Sequence, residues 1–147
     1  MTIPSTRVAV VDDFDELDHL EVRARDGVRE QRGGIRLLER VAARSGRWAD
    51  GAITIVVEFE RLCVGYLVLI PGDVAVIEWV YVIDEAREIG CGDALIDAAF
   101  QHARSSGARR LEGLALPGDR ETKNLYERAG ITAKAIVVAI DLSDPSN

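Results

Sequence analysis

The stretch AREIGCGDAL, residues 86–95, has residue types and spacing suited to holding a phosphate. Gly90 and Gly92 precede an apolar helical run, and Arg87 stands three residues before the first glycine. The first amides of a helix have no partner inside it, and the helix dipole makes that end favourable for an anion. Glycines let a phosphate approach the backbone closely. The spacing therefore predicts an anion site whose donors are the amides of residues 87–92.

Two common nucleotide-binding patterns fit this turn poorly. A Walker loop ends in Gly-Lys-Ser/Thr, whereas Gly-Asp-Ala stands at residues 92–94. A dinucleotide-binding fingerprint needs a third glycine where Leu95 stands, and its first glycine directly follows a strand, but here IDEARE intervenes. Glu112 lies about where the ribose-binding acid of that fingerprint belongs, but it opens its strand instead of ending it.

The elements that must position the turn follow from changes in hydrophobic period. Runs rich in β-branched residues predict strands, and apolar residues at every third or fourth position predict helices. The predicted order is a strand at 7–11, helices at 12–26 and 35–46, strands at 52–60, 62–70 and 74–82, a helix at 92–107, a strand at 110–117, a helix at 120–130 and a strand at 131–142. This order predicts one α/β (α+β) domain over residues 1–142, with a mixed sheet, and a frayed tail at 143–147.

The composition narrows the functional classes. A net charge of −7 argues against general affinity for nucleic acid. No apolar run is long enough to span a bilayer, and the start MTIPSTRVAV lacks the features of a secretory signal. Cys63 and Cys91 have no CxxC spacing and the chain has two histidines, so we expect reduced thiols and no metal. A cytoplasmic protein without membrane or nucleic-acid partners is predicted.

An arginine-rich segment covers residues 23–47, which contain eight arginines. The members that recur every three or four residues are Arg25, Arg29, Arg32, Arg36, Arg40, Arg44 and Arg47. This is the spacing of one helix face. It indicates either a solvated helical face or a surface for an anionic ligand or an acidic partner.

Residues 82–95 resemble motif A of the GNAT superfamily, the acyl-CoA-dependent N-acyltransferases. In that motif, a strand ending in Val is followed by a short acidic link, Arg/Gln-x-x-Gly-x-Gly/Ala and a helix. Arg87, Gly90 and Gly92 occupy the three marked positions. The segment LYERAGI, residues 125–131, resembles the family's Leu-Tyr-x-Lys-x-Gly-Phe, with arginine for lysine and isoleucine for phenylalanine.

The resemblance covers nearly the whole chain and implies the family's fold and cosubstrate. The implied fold is a mixed sheet of six to seven strands flanked by about four helices. The implied cosubstrate is acetyl-CoA, with its pyrophosphate on the glycine turn and its pantetheine arm beside the end of the strand at 74–82. An amide near Val82 would then polarise the thioester carbonyl. The residues implied in cosubstrate binding are Val80, Val82, Arg87, Glu88, Ile89, Gly90, Cys91, Gly92 and Asp119.

Tyr126 and Glu78 are the candidate catalytic residues. Tyr126 matches the family's tyrosine and could protonate the departing thiolate, although it also belongs to an apolar helix face. Glu78 is the candidate base. By strand alternation it is predicted to share a side with Val80 and Val82, opposite Trp79 and Tyr81.

The roles of three acidic residues stay open. Glu78 itself could be an exposed edge residue, in which case Glu112 is the reserve base unless it pairs with Arg109 or Arg110. Asp119 stands where the family often has a pantetheine-contacting asparagine, and an ionised carboxylate accepts hydrogen bonds without donating any.

The expected activity is transfer of an acetyl group from acetyl-CoA to a primary amine of a small molecule or peptide, by direct attack of the amine. Two other classes are a non-catalytic acyl-CoA-binding regulatory domain and an interaction module acting through the arginine-rich segment. The acceptor is either an amine that also carries an anionic group or a polycation, and the sequence leaves both open. Homodimers are common in the family, so a homodimer is possible here.

Overall fold

Five strands and four helices follow one another along the chain, in a computed structural model that describes residues 2–143. The predicted frayed tail lies outside the described residues except for Ser143. The elements are β1 (Ser5–Val8), α1 (Phe14–Arg29), α2 (Gly34–Arg40), β2 (Ile53–Phe59), β3 (Leu62–Ile70), β4 (Val74–Val82), α3 (Cys91–Ser105), β5 (Arg110–Gly113) and α4 (Arg120–Arg128). Short 3-10 turns lie at Val11–Asp13 and Asp84–Ala86.

The strands form a mixed sheet in the order β1-β2-β3-β4-β5. The first three pairings are antiparallel, and β5 joins β4 in parallel. A parallel pair needs a crossover, and α3 supplies it. An α+β domain with a mixed sheet was predicted, and the structure confirms it.

The sheet is covered on both faces, and each covering helix presents an apolar stripe to it. On α3, Leu95, Ala99 and Ala103 lie four residues apart and are all nearly inaccessible to solvent. They pack with Ile55, Leu67 and Ile77 of the sheet. On the other face, Leu17 and Leu20 of α1 pack with Trp48, Val56 and Tyr66. Burying each large apolar side chain stabilises the fold by roughly 1.5–3 kcal/mol.

The last predicted strand is absent. Residues 131–142 contain no strand or helix, so the sheet has five strands and not six to seven. The β-branched run has local preference for a strand, but a strand also needs backbone hydrogen bonds to a neighbouring strand, and residues 131–142 pair with none of the five strands. Its apolar side chains face solvent, with Ile136 81% and Val138 86% exposed.

Two other predicted boundaries were too long. The second helix ends at Arg40 and not at Gly46, and β5 ends at Gly113 and not at residue 117. In residues 2–143, no helix is long and apolar enough to cross a membrane.

A gap between β4 and β5 positions the site. The parallel pairing runs from Val74↔Arg110 to Ile77↔Gly113 and then stops, while β4 continues to Val82. Among residues 2–143, the last residues of β4 therefore have β3 on one side and no strand on the other.

Candidate active site

The open edge of β4 presents backbone groups to the gap. The amide of Ile83 donates to the carbonyl of Val64 at 2.9 Å, which directs Ile83 towards β3. Because neighbouring residues of a strand direct their backbone groups to opposite edges, those of Val80 and Val82 face the gap. An extended ligand lying there can pair with them as an added strand does.

The glycine turn follows directly and holds free donors. Gly90 has φ of +91° and Glu88 has φ of +67°, left-handed conformations that bend the chain into the start of α3. Within residues 2–143, no acceptor meets the amides of residues 88–93 with hydrogen-bonding geometry. The turn therefore combines unpaired amides with the positive end of a 15-residue helix, as an anion site requires.

Arg87 braces the turn. Its Nε donates to the Val82 carbonyl at 3.1 Å, and its Nη1 lies 2.8 Å from Asp84 and 2.7 Å from Glu121. The guanidinium therefore links the end of β4 to α4. Its charge sits beside the turn but is already paired with two carboxylates.

Gly92 and Cys91, two of the predicted binding residues, also contribute to the packing of α3. A Cβ on Gly92 would lie 3.2 Å from Leu125, so the missing side chain lets α3 and α4 approach closely. Cys91 is 1% exposed, and burial raises the pKa of its thiol. The backbone amide of Cys91 can donate to a ligand at the turn, while its side chain is buried in the core. Ile89 is 40% exposed.

Glu78 lies on a β-bulge, which corrects the predicted side of the strand. Val68 pairs with Trp79 and Leu69 pairs with Ile77, so Glu78 has no partner on β3. An extra residue shifts the alternation at that point. Glu78 consequently turns to the α1 face with Trp79, while Val80 packs on the α3 face.

The carboxylate of Glu78 is held by Arg44, a contact that sequence analysis missed. Arg44 Nη2 lies 3.0 Å from Glu78 Oε2, and the two side chains are 12% and 20% exposed. The loop carrying Arg44 is fixed in turn by Glu21, which accepts from the amides of Arg44 at 2.6 Å and Ser45 at 3.0 Å. The only sequence signal was the regular spacing of arginines, which placed Arg44 inside a helix predicted to end at Gly46, whereas α2 ends at Arg40.

The arginine-rich segment is therefore not one continuous solvated face. Arg25 donates to the carbonyls of Val41 and Leu38 and lies over the ring of Trp79 at 5.8 Å. With Arg44, it fastens the loop after α2 to the body of the domain.

Tyr126 is buried at the end of β5. It is 6% exposed, and a Cβ on Gly113 would lie 2.7 Å from its hydroxyl. Burial and the charge of Asp119 raise the pKa of the phenol, while a hydrogen bond with the Leu114 backbone opposes them. The group therefore stays protonated at neutral pH. Tyr126 does not line the cavity described below.

Asp119 caps α4. Its Oδ1 accepts from the Thr122 amide at 3.1 Å and its Oδ2 from the Thr122 hydroxyl at 2.6 Å. Such a cap satisfies an amide that the helix leaves unpaired. Glu112 is exposed and forms an ion pair with Arg110 at 3.4 Å. This pairing is the predicted alternative to a role of Glu112 as the base.

One cavity of about 550 Å³ joins these parts. It is lined by residues of α1, α2, β4, the glycine turn, the segment after β5 and α4. Glu78, Val80, Val82, Arg87, Glu88, Gly90, Gly92 and Asp119 are the predicted site residues that border it. Trp79 and Tyr81 border it too, although strand alternation predicted them on the side opposite Glu78.

A family model described as the acetyltransferase (GNAT) family matches residues 14–131. The chain belongs to the GNAT acetyltransferase family. The match spans α1 to the end of α4 and thus includes the glycine turn, the open edge of β4 and the cavity. No curated protein sequence matches this GNAT chain significantly.

Solved structures share the GNAT fold at low identity. An aminoglycoside N-acetyltransferase, AAC(6')-Iy, in complex with a CoA-containing bisubstrate analogue, aligns with TM-score 0.73 and 14% identity over 94% of this chain and 97% of that one. A ribosomal-protein-alanine N-acetyltransferase from Brucella melitensis biovar Abortus aligns with TM-score 0.68 and 18% identity, covering 95% and 98%. A transcriptional regulator from Bacillus halodurans aligns with TM-score 0.70 and 19% identity, covering 95% and 99%.

Proposed function

We propose that this GNAT domain transfers an acetyl group from acetyl-CoA to a primary amine of a small molecule or peptide, by direct attack of the amine. The observation that carries the proposal is the continuity of two backbone donor sets, the open edge of β4 and the glycine turn. The first suits an extended amide-containing arm and the second a pyrophosphate, the two parts of CoA that resemble a strand and an anion. CoA-bound relatives of the same fold support this assignment.

The residues at the edge and turn bind the cosubstrate. The amides of residues 88–92 donate to the pyrophosphate, with the charge of Arg87 beside them. The backbone of Val80 and Val82 pairs with the pantetheine arm. An amide at the end of β4 then lies beside the thioester carbonyl and stabilises the negative charge that develops on its oxygen.

The transfer itself needs two proton movements. The amine nitrogen forms a bond with the carbonyl carbon, the carbon–sulfur bond breaks, and the sulfur departs as a thiolate. Glu78 accepts the proton that the amine loses, either directly or through water, while Arg44 holds the carboxylate in place. Tyr126, which is protonated at neutral pH, supplies the thiolate with a proton, and its raised pKa makes it a weaker acid for this role than a free phenol. Its ring must move from the packed position over Gly113 to reach the sulfur.

A second candidate is a non-catalytic domain that binds acyl-CoA. Two observations favour it: Tyr126 lies outside the cavity lining, and Glu78 is already paired with Arg44. Such a domain binds acetyl-CoA but releases no thiol with any amine.

Binding is tested first, by calorimetric titration with acetyl-CoA. Gly90→Val is compared with Gly107→Val, because both glycines have φ near +90° and lie at opposite ends of α3. Both variants carry the same backbone strain, but only Gly90 belongs to the turn. We expect the affinity for acetyl-CoA to be at least 10-fold lower in Gly90→Val than in Gly107→Val. Equal affinities in the two variants would remove the turn from the cosubstrate site.

Catalysis is tested by thiol release with a panel of amines. Tyr126→Phe is expected to lower kcat about 100-fold, the usual size of a general-acid contribution, with the Kd for acetyl-CoA unchanged. Unchanged kcat would take Tyr126 out of the mechanism. Binding of acetyl-CoA without thiol release for any amine would favour the non-catalytic domain.

A further inference from the structure

Among the described residues, all charged side chains of the cavity wall except Glu78 come from the glycine turn, the start of α3, and α4 with its N-cap residue. They are Arg87, Glu88, Asp93, Asp119, Glu121 and Arg128. This is the side assigned above to the phosphate-bearing part of acetyl-CoA.

The opposite wall is uncharged. It is built from α1, α2, the turn between them and residues 114–116, and its lining residues include Ala24, Val28, Gln31, Leu37, Leu114 and Leu116. Leu116 is 9% exposed and reaches across to the turn between α1 and α2, where its Cδ2 would lie 3.6 Å from a Cβ on Gly33. Leu116 therefore brings the segment after β5 close to the turn between α1 and α2.

Glu78 is the one formal charge that β4 adds to the lining. Its carboxylate is balanced by Arg44 at 3.0 Å, so this side of the cavity has close to zero net charge before an acceptor enters. One ammonium group beside Glu78 finds a carboxylate. Each further cation of the same molecule meets apolar wall, where an unpaired charge is unfavourable.

We infer that the acceptor is a primary monoamine attached to an apolar alkyl or arylalkyl body, and not a polycation. This inference rests on the proposed function, since it assigns the uncharged wall to the acceptor. The ammonium lies beside Glu78, and the body packs on Val28, Leu37 and Leu116. The ammonium loses one proton to water before the attack, and Glu78 accepts the second proton as the carbon–nitrogen bond forms. Aminoglycosides, named for one relative of the same fold, carry several ammonium groups and fit this wall poorly.

The experiment compares 2-phenylethylamine and hexylamine with spermidine and kanamycin. Binding to the CoA-loaded protein is followed by tryptophan fluorescence, and kcat/KM is measured with acetyl-CoA. We expect the two monoamines to bind at least 10-fold more tightly than the two polycations and to show the higher kcat/KM. Tighter binding of spermidine or kanamycin overturns the inference.

Leu37→Asp tests the wall itself. The variant adds a carboxylate and is expected to shift the spermidine-to-phenylethylamine affinity ratio at least 10-fold towards spermidine. Ile35→Asp is the matched control, because Ile35 lies on the same helix, is 62% exposed and does not line the cavity. Leu37→Asn introduces the polar volume without the charge. Equal ratios in Leu37→Asp and Ile35→Asp overturn the inference.

The two proposals fail in different ways. If the monoamines bind as expected but no amine is acetylated, the transferase proposal is wrong and the assignment of the wall stands as a ligand site. If polycations are acetylated faster, the transferase proposal stands and the monoamine class is wrong.

Discussion

Removal of the ion pair between Arg44 and Glu78 tests the position of the candidate base. At 3.0 Å and an effective dielectric constant of about 20, two unit charges attract by about 5 kcal/mol. Desolvation offsets part of this attraction, and the side chains keep 12% and 20% of their exposure. Exposed pairs contribute about 0.2–1 kcal/mol and breaking a fully buried pair costs about 3–5 kcal/mol, so we expect a coupling free energy of about 2 kcal/mol.

The assay is a double-mutant cycle in urea at pH 7, with Arg44→Ala, Glu78→Ala and the double variant. The double variant is expected to be about 2 kcal/mol more stable than the sum of the two single losses predicts. In a domain of this size, about 2 kcal/mol corresponds to roughly 4–8 °C in Tm.

Arg29 and Asp26 provide the matched control. They form an i,i+3 pair on α1 with side chains 56% and 66% exposed, so their coupling should be about 0.3 kcal/mol. Equal coupling in the two cycles would refute the reasoning, because Glu78 would then not be held by Arg44 on the α1 face.

Three further predictions concern the rest of the chain. Arg7 lowers the pKa of Asp13 below 3.8, so this carboxylate stabilises the fold above that pH and loses its effect as pH falls through the folded value. Asp13→Asn should therefore cost under about 1 kcal/mol in urea at pH 7 and less at pH 2, and an equal cost at both would contradict this. Burial raises the pKa of Cys63 to about 11, so iodoacetamide at pH 8 should alkylate it about 100-fold more slowly than a free cysteine, as mass spectrometry can follow. The exposed side chains of Ile136 and Val138 should drive self-association, so Ile136→Lys/Val138→Lys should lower light scattering at high concentration without changing Tm, and unchanged scattering would refute this.

Features set by short stretches of sequence could be predicted. The glycine turn and the helix after it depend on Arg87, Gly90 and the apolar period of residues 94–103, which are all neighbours in the chain. Their physical basis is local, since a left-handed glycine and unpaired first amides need no distant partner. The turn and the start of α3 accordingly lie where they were predicted, and the binding of an anion there stays a prediction.

Features that depend on residues distant in the sequence could not be predicted. The side to which Glu78 points depends on a slip in pairing with Val68 and Leu69, which no alternation within β4 reveals. The second helix ends at Arg40 because the loop after it is held by Glu21, whose carboxylate accepts hydrogen bonds from the amides of Arg44 and Ser45. Residues 131–142 have the composition of a strand, but composition does not supply an edge to pair with.

The incomplete pairing of β4 with β5 also determines where the backbone is accessible to hydrogen exchange. The ladder ends at Ile77, so the amides of Val80 and Val82 face the gap and need no unfolding event to exchange with solvent. Amides of the same strand that face β3 exchange only when the sheet opens. A single strand thus contains a fast and a slow population in alternation. Under the proposed function, bound acetyl-CoA slows the fast set, and the depth of that protection reports occupancy of the gap residue by residue.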